Sequence, residues 1–206
     1  MPDFNKMLEE EILKNREAGK IPRLLLHCCC APCSSYCLEF LNGNFDITCY
    51  FYNPNITDEA EYIHRLNELK NYVLRVFYGA FPVIDAGFDP ESFYAAARGM
   101  ENEKEGGERC FACYALRLEQ TCLYALKEKF DYFATTLTVS PHKRADVINE
   151  TGFSLARGKD VKYLPSDFKK KGGSARSIEL SKEYGLYRQN FCGCEFSRAA
   201  REKTDD

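Results

Sequence analysis

Three groups of cysteines are the residues of this chain whose type and spacing indicate chemistry. The groups are Cys28, Cys29, Cys30 and Cys33; Cys110 and Cys113; and Cys192 and Cys194. Thiolates bind soft metals and attack disulfides, so each group is a candidate for metal binding or for redox reactions. The N-terminus lacks the basic and apolar segments of a signal peptide, so we expect a cytoplasmic protein, in which structural disulfides are disfavoured. Eleven cysteines in such a compartment predict metal or redox chemistry.

The first cysteine group lies where a strand gives way to a helix. Residues 24–26 are three leucines typical of a short buried strand, and residues 33–41 carry apolar side chains at helical spacing. Open α/β sheets bind their ligands at this end of a strand, and a helix N-terminus there favours thiolate over thiol. Cys30 and Cys33 also match a thioredoxin-like dithiol, which follows a strand and opens a helix in the same way.

Cys110 and Cys113 have Cys-x-x-Cys spacing at the start of a predicted helix (110–129), so both sulfurs can reach one metal. With two thiols from the distant strand-end turn they make a four-thiolate site, which suits zinc or an iron–sulfur cluster. Spacing alone favours neither metal. Zinc knuckles usually use two Cys-x-x-Cys pairs, however, and adjacent cysteines in a turn suit a multi-metal cluster better.

Cys192 and Cys194 are separated by a single glycine. A disulfide between them closes a very small ring, and strained disulfides are easily reduced. The pair is therefore a candidate store for two electrons. The alternative is that the same two sulfurs bind a second metal.

His142 and Lys143 follow a predicted strand (131–137), which places them at the same sheet edge as the cysteines. There His142 is a candidate general acid and Lys143 a candidate phosphate contact. A surface turn with ordinary polar residues accounts for these two side chains equally well.

The elements that must position these residues alternate along the chain. Strands are expected at residues 24–26, 46–52, 81–85 and 131–137, and helices at 3–18, 33–41, 57–78, 90–98, 110–129 and 144–155. This alternation predicts an α/β fold with a mostly parallel sheet flanked by helices. We expect residues 1–158 to form the core domain that carries the metal-binding cysteines.

Residues 159–206 are expected to form a basic C-terminal extension that folds back over the strand ends. Lys and Arg outnumber Asp and Glu there, although the whole chain has a net charge of −3. A net negative charge argues against a general nucleic-acid binder, but a basic extension allows one face for phosphates. No apolar run is long enough to span a membrane, so we expect no membrane partner.

The extension carries the candidate contacts to RNA. The expected phosphate contacts are Lys169, Lys170, Lys171 and Arg176. The expected base-stacking side chains are Tyr184, Tyr187 and Phe191. Ser177 is predicted to cap a helix that begins at residue 178.

At these residues the chain resembles a known family, the cobalamin-independent epoxyqueuosine reductases of the QueH type. The matching stretches are LLHCCCAPCS (25–34), YNPNI (52–56), RCFACY (109–114), TTLTVSPHK (135–143) and the run 167–194. They cover most of the chain in the right order. One departure is Cys28, where the family typically has Ser.

The resemblance implies a HUP-type, Rossmann-like α/β fold and a 4Fe-4S cluster. By this likeness Cys29, Cys30, Cys110 and Cys113 hold the cluster, and Cys192 with Cys194 form a redox-active pair. The implied reaction is the two-electron removal of the epoxide oxygen from epoxyqueuosine at the wobble position of tRNA, the last step of queuosine synthesis.

The resemblance also implies the partners, which are tRNA with a GUN-type anticodon and an electron donor that the sequence does not identify. As a mechanism we consider an iron site with an open position that polarises the epoxide oxygen as a Lewis acid. A second, mononuclear iron is considered as a further cofactor. His142 or Lys143 would then protonate that oxygen as it leaves as water.

Two other classes of protein fit the cysteine pattern. One is a thioredoxin-like dithiol oxidoreductase that acts through Cys30 and Cys33 and needs no metal. The other is a zinc-stabilised tRNA-binding module without catalysis.

Overall fold

The computed structural model describes residues 2–205, with side chains as far as residue 201. Its five strands are β1 (Arg23–His27), β2 (Asp46–Phe51), β3 (Val83–Asp85), β4 (Tyr132–Thr135) and β5 (Lys162–Tyr163). They form one sheet in the order β3-β2-β1-β4-β5, and every neighbouring pair is parallel. The predicted α/β fold with a parallel sheet is confirmed.

Helices connect the strands and cover both faces of the sheet. Within residues 2–205 they are α1 (Phe4–Glu17), α2 (Ala31–Leu41), α3 (Glu59–Phe77), α4 (Pro90–Ala97), α5 (Glu108–Lys127), α6 (Ala145–Ala156), α7 (Gly173–Glu183) and α8 (Glu195–Asp205). A short 3-10 helix, Thr136–Val139, follows β4. None of these helices is both long and apolar enough to cross a membrane.

Strand β1 is buried on both faces, which explains its run of leucines. Leu24 and Leu26 pack into the core that α1, α2 and α3 cover, whereas Leu25 packs into the core that α5 and α6 cover. A central strand of a parallel sheet is apolar on both sides because helices lie on each face.

The winding of the chain changes direction at β1. The chain passes from β1 through β2 to β3 on one side, and then returns to β4 on the other side of β1. Such a reversal opens a crevice outside the carboxyl ends of the two central strands. The cysteines that follow β1 and the residues that follow β4 therefore face the same crevice.

Several local expectations were wrong. Ser177 does not cap a helix, because α7 already begins at Gly173 and the Ser177 hydroxyl donates to Pro32 O (2.7 Å). The fourth strand ends at Thr135, whose hydroxyl accepts from Leu137 N (3.1 Å) and turns the chain into the 3-10 helix. Strand β5 and helix α8 were not expected from the sequence.

Candidate active site

Three thiols meet where β1 passes into α2. The Sγ atoms of Cys29, Cys30 and Cys33, which we call the thiol triad, lie within 4.8 Å of one another. Among the side chains described, this is the one group of three potential metal ligands at such short range. Cys33 belongs to it although it was not among the expected cluster ligands.

Of the three thiols in the triad, Cys29 loses its proton most readily. Thiol hydrogen bonds from Cys30 and Cys33 lower the pKa of Cys29 well below its usual range, and Arg117 and Lys143 add to this against the effect of burial. Because Cys30 donates to Cys29, its own pKa rises to about 12, and the pKa of Cys33 rises for the same reason.

Cys28 takes no part in the thiol triad. Its side chain is fully buried in the core, and its Sγ lies 3.4 Å from Leu26 O. Burial raises the pKa of Cys28 well above its usual range. Cys28 is therefore a core thiol and no member of the thiol triad.

The first turns of α5 bring two more thiols to the crevice. Cys110 and Cys113 line a smaller cavity together with Cys192 and Cys194. Burial raises the pKa of Cys110, and it raises that of Cys113 to about 11. Both thiols are therefore protonated in the absence of a metal.

Cys192 lines two cavities. One is the smaller cavity of Cys110 and Cys113, and the other is a larger cavity that the thiol triad also lines. Its carbonyl oxygen accepts from Asn55 Nδ2 (3.3 Å) and Arg65 Nη1 (3.2 Å), and its amide donates to Ser197 Oγ (3.1 Å). All three cysteine groups thus meet in one region. The ligand set Cys29, Cys30, Cys110 and Cys113 stays a prediction, as does a disulfide between Cys192 and Cys194, which are free thiols here.

The larger of the two cysteine-lined cavities has a volume of about 350 Å³, and most of the charged residues that line it are basic. Its charged residues are Arg65, Arg117, Lys143, Arg188 and Arg201, with Glu105 as the one carboxylate among the described side chains that line it. A cavity of this size holds a small organic ligand, and its charge attracts anions.

Lys143 and His142 both line this cavity, as expected from their place after β4. Lys143 Nζ lies 3.5 Å from Cys192 Sγ. Burial favours a lower pKa for Lys143, but Cys192, Tyr114, Cys29 and Cys33 more than offset it and raise that pKa above its usual range. Lys143 is therefore a permanent cation next to Cys192.

A buried polar network behind the cavity was not anticipated in full. Arg117 Nη2 donates to Asn53 Oδ1 (2.5 Å), and Arg117 Nε lies 3.3 Å from His27 Nε2. His27 Nε2 also lies 3.1 Å from Tyr52 O, and His27 Nδ1 lies 2.8 Å from Thr135 Oγ1. Burial, and then Arg117, lower the pKa of His27 to about 3, so its ring is neutral. The sequence signal for Arg117 was its position four residues after Cys113, on the same face of a helix.

The cations expected to contact RNA phosphates in the extension do not line the larger cavity. Each forms an ion pair within the protein, and these pairs are Lys169–Asp167, Lys170–Asp167, Lys171–Glu9 and Arg176–Glu39. The candidate stacking side chains are also engaged: Tyr184 contacts Tyr72, Tyr187 contacts His64, and Phe191 contacts Arg65 and Arg198. Phe191 also lines the larger cavity.

The family model described as Epoxyqueuosine reductase QueH matches residues 24–200. The chain belongs to the QueH family. The Epoxyqueuosine reductase QueH of Staphylococcus epidermidis is 43% identical over 200 residues, which are 95% of this chain and 84% of that protein. The QueH of Streptococcus pyogenes serotype M1 is 44% identical over 205 residues, covering 96% and 76%. The QueH of Thermotoga maritima is 34% identical over 187 residues, covering 87% and 92%.

A solved structure shares the fold of this QueH family member. The U34-tRNA thiolase NcsA from Methanococcus maripaludis with its [4Fe-4S] cluster superposes with a TM-score of 0.54 over 98% of this chain and 72% of that one. The two sequences are 16% identical, so the likeness concerns the fold.

Proposed function

We propose that this protein is an epoxyqueuosine reductase, an oxidoreductase of queuosine synthesis that removes the epoxide oxygen of epoxyqueuosine in tRNA. Its membership of the QueH family supports this activity. The observation that carries the proposal is the position of Cys192, which lines both the cavity of the thiol triad and the cavity of Cys110 and Cys113. The residue predicted to be redox-active thus shares one cavity with the thiol triad and another with Cys110 and Cys113.

The Cys192–Cys194 pair can supply the full electron balance of one turnover. Removal of an epoxide oxygen as water leaves an alkene and consumes two electrons and two protons. Oxidation of two thiols to a disulfide releases two electrons and two protons. An external electron donor must then reduce the disulfide before the next turnover.

The donor set of the crevice fits an iron–sulfur cluster, because thiolates are the ligands of such clusters. The buried atom Arg117 Nη1, which has no hydrogen-bond partner, also fits an anionic group among the thiols. We assign the cluster to Cys29, Cys30, Cys110 and Cys113, with Cys33 as the alternative ligand. When bound, such a cluster supplies electrons one at a time. A second, mononuclear iron is a further part of the proposal.

The substrate end of the proposal is the wobble nucleotide of a tRNA with a GUN-type anticodon. Bases of an anticodon loop are unstacked and can enter a pocket. The cationic residues that line the larger cavity can contact the phosphates of the RNA backbone. His142 is the candidate proton donor to the leaving oxygen. Lys143 is better suited to stabilise negative charge, because its raised pKa makes it a weak acid. We place this reaction in the cytoplasm.

The test begins with protein purified without oxygen and measures its visible spectrum, iron, sulfide and zinc. We expect a broad brown absorbance that bleaches with dithionite. Iron and sulfide in equal amounts would indicate the cluster alone, whereas iron in excess of sulfide would indicate the additional mononuclear iron. A colourless protein with stoichiometric zinc would contradict the reductase proposal and favour a zinc-stabilised binding module.

The second step is conversion of tRNA carrying epoxyqueuosine, followed by nucleoside analysis. We expect Cys194→Ser to abolish multiple turnover, and Cys122→Ala, which changes a buried thiol of α5 outside both cavities, to retain it. Full multiple turnover by Cys194→Ser would overturn the dithiol part of the scheme. Activity of a colourless, metal-free protein would favour a dithiol oxidoreductase acting through Cys30 and Cys33.

A further inference from the structure

Arg117 is a fully buried cation without a carboxylate partner. Its side chain on α5 is 1% exposed, and it takes part in none of the ion pairs formed within the described part of the chain. The two atoms that its nitrogens contact, His27 Nε2 and Asn53 Oδ1, belong to neutral groups. Burial of a charge is costly unless an opposite charge compensates it.

The acid groups nearest to Arg117 in the fold are thiols. Arg117 lines the larger cavity together with the thiol triad and Cys192. Cys113 lies one helical turn before Arg117, on the same face of α5. The guanidinium therefore shares the thiol-lined cavity, and its buried Nη1 atom has no hydrogen-bond partner.

We propose that Arg117 is a positioning residue that serves as the fixed counter-cation of the thiolate centre, and that it thereby strengthens metal retention and raises the reduction potential of the centre. Asn53 and His27 hold the guanidinium in place through its Nη2 and Nε atoms. The inference rests on the proposed function for the identity of the metal group. A reduced cluster carries one more negative charge than an oxidised one, so a nearby fixed cation favours the reduced form.

Arg65, which donates to Cys192 O, provides a control for the potential because, unlike Arg117, it is paired with a carboxylate. It is also 1% exposed and lines the larger cavity, but its Nε and Nη2 lie 2.7 and 2.6 Å from Glu61 Oε1. The charge of Arg65 is therefore compensated locally. Its replacement removes a buried arginine without removing the counter-cation of the thiols.

The experiment compares Arg117→Met, Arg117→Lys and Arg65→Met in the metal-loaded full-length protein. For Arg117→Met we expect a lower midpoint reduction potential in a spectroscopic redox titration and a roughly tenfold or faster loss of metal to a chelator. Arg117→Lys should restore part of both properties, and Arg65→Met should leave the potential close to that of the parent protein. An unchanged potential and unchanged metal loss in Arg117→Met would overturn the proposal.

The thermal stability of the metal-free protein separates this role from a purely structural one. Without metal the guanidinium faces a single thiolate, on Cys29, so Arg117→Met should lower the unfolding temperature of the metal-loaded form more than that of the metal-free form. Equal destabilisation of both forms would overturn the counter-cation role.

A second variant keeps the test valid where Arg117→Met fails to fold. Asn53→Asp retains Arg117 and places a carboxylate at the atom that now accepts from Nη2. It should lower the reduction potential in the same direction, and a potential equal to that of the parent would contradict the proposal. Zinc in place of iron would contradict the proposed function. Faster loss of zinc from Arg117→Met than from the parent would still support the role of Arg117, and an unchanged rate would contradict it.

Discussion

At the scale of single residues, Cys192 is held chiefly by its backbone. Its amide and carbonyl groups bond to Ser197, Asn55 and Arg65, and the next residue, Gly193, has φ +123°. A Cβ on Gly193 would lie 2.9 Å from Cγ1 of the buried side chain Ile56. Only glycine combines this backbone conformation with this close approach.

We expect Gly193→Ala to displace the Cys192–Cys194 loop and to abolish turnover. The control is Gly185→Ala in the same extension, where φ is +63° but nothing lies within 4 Å of the new methyl group. That variant should cost about 1–2 kcal/mol of stability through strain alone and remain active. The measurements are turnover of the tRNA substrate and thermal unfolding. Normal turnover by Gly193→Ala would contradict the close fit of this loop.

Lys143 gives a second prediction at this scale, since it is a cation 3.5 Å from Cys192 Sγ. Lys143→Met should slow a single turnover about 100-fold, because a charge aimed at the reacting groups is lost. Lys143→Arg, which keeps the charge, should retain most of the rate. If the two variants are equally slow, the shape of the lysine matters and its charge does not.

At the scale of elements, the extension is built into the fold along much of its length. Strand β5 pairs with β4, and the side chains that follow it, Leu164 and Phe168, are buried in the core. Helix α7 is tied to the start of α2 through Ser177 and Pro32. The segment after residue 186 instead carries Cys192, Cys194 and α8.

This division predicts that two truncations behave differently. A chain ending at residue 158 should fail to unfold cooperatively, because it loses β5 and several buried apolar side chains worth about 1.5–3 kcal/mol each, against a typical total of about 5–15 kcal/mol. A chain ending at residue 186 should keep a cooperative thermal transition and its helical circular dichroism. Independent folding of residues 1–158 would support the domain boundary predicted from the sequence.

At the scale of the whole molecule, positive charge is concentrated where the cysteines are. The lysines of residues 169–171 are paired with carboxylates, whereas Arg188 lines the larger cavity and donates to the Ser181 hydroxyl (3.2 Å). The surface that receives RNA should therefore be the rim of the cavity and not the lysine run.

Arg188→Ala should weaken tRNA binding and reduce the slope of log affinity against log salt by about 0.7–1, the contribution of one phosphate contact. The control, Lys171→Ala, removes a cation that pairs with Glu9 and lies outside the cavity lining, and it should leave the slope unchanged. The measurement is binding of the substrate tRNA at several salt concentrations. A larger effect at Lys171 would restore the lysine run as the phosphate contact.

The fold class and the edge of the sheet at which the chemistry lies follow from local signals in the sequence. Leucines 24–26 and the apolar periodicity after residue 33 are local signals, and strand and helix formation respond to such signals. In a parallel sheet the carboxyl ends of all strands share one edge, so the residues that follow β1 and β4 had to meet there.

Which side chains meet at that edge depends on the packing of distant elements against one another. Cys33 lies close to Cys29 and Cys30. Arg117 donates a hydrogen bond to Asn53, 64 positions away in the sequence. The lysines at 169–171 form ion pairs with Asp167 and Glu9. Apolar periodicity predicts whether a residue is buried or exposed. It does not predict which distant residue contacts that side chain. The partners of a buried charge are set by the packing of whole elements, so only the folded chain shows that Arg117 lines the cavity of the thiol triad and lacks a carboxylate partner among the ion pairs described.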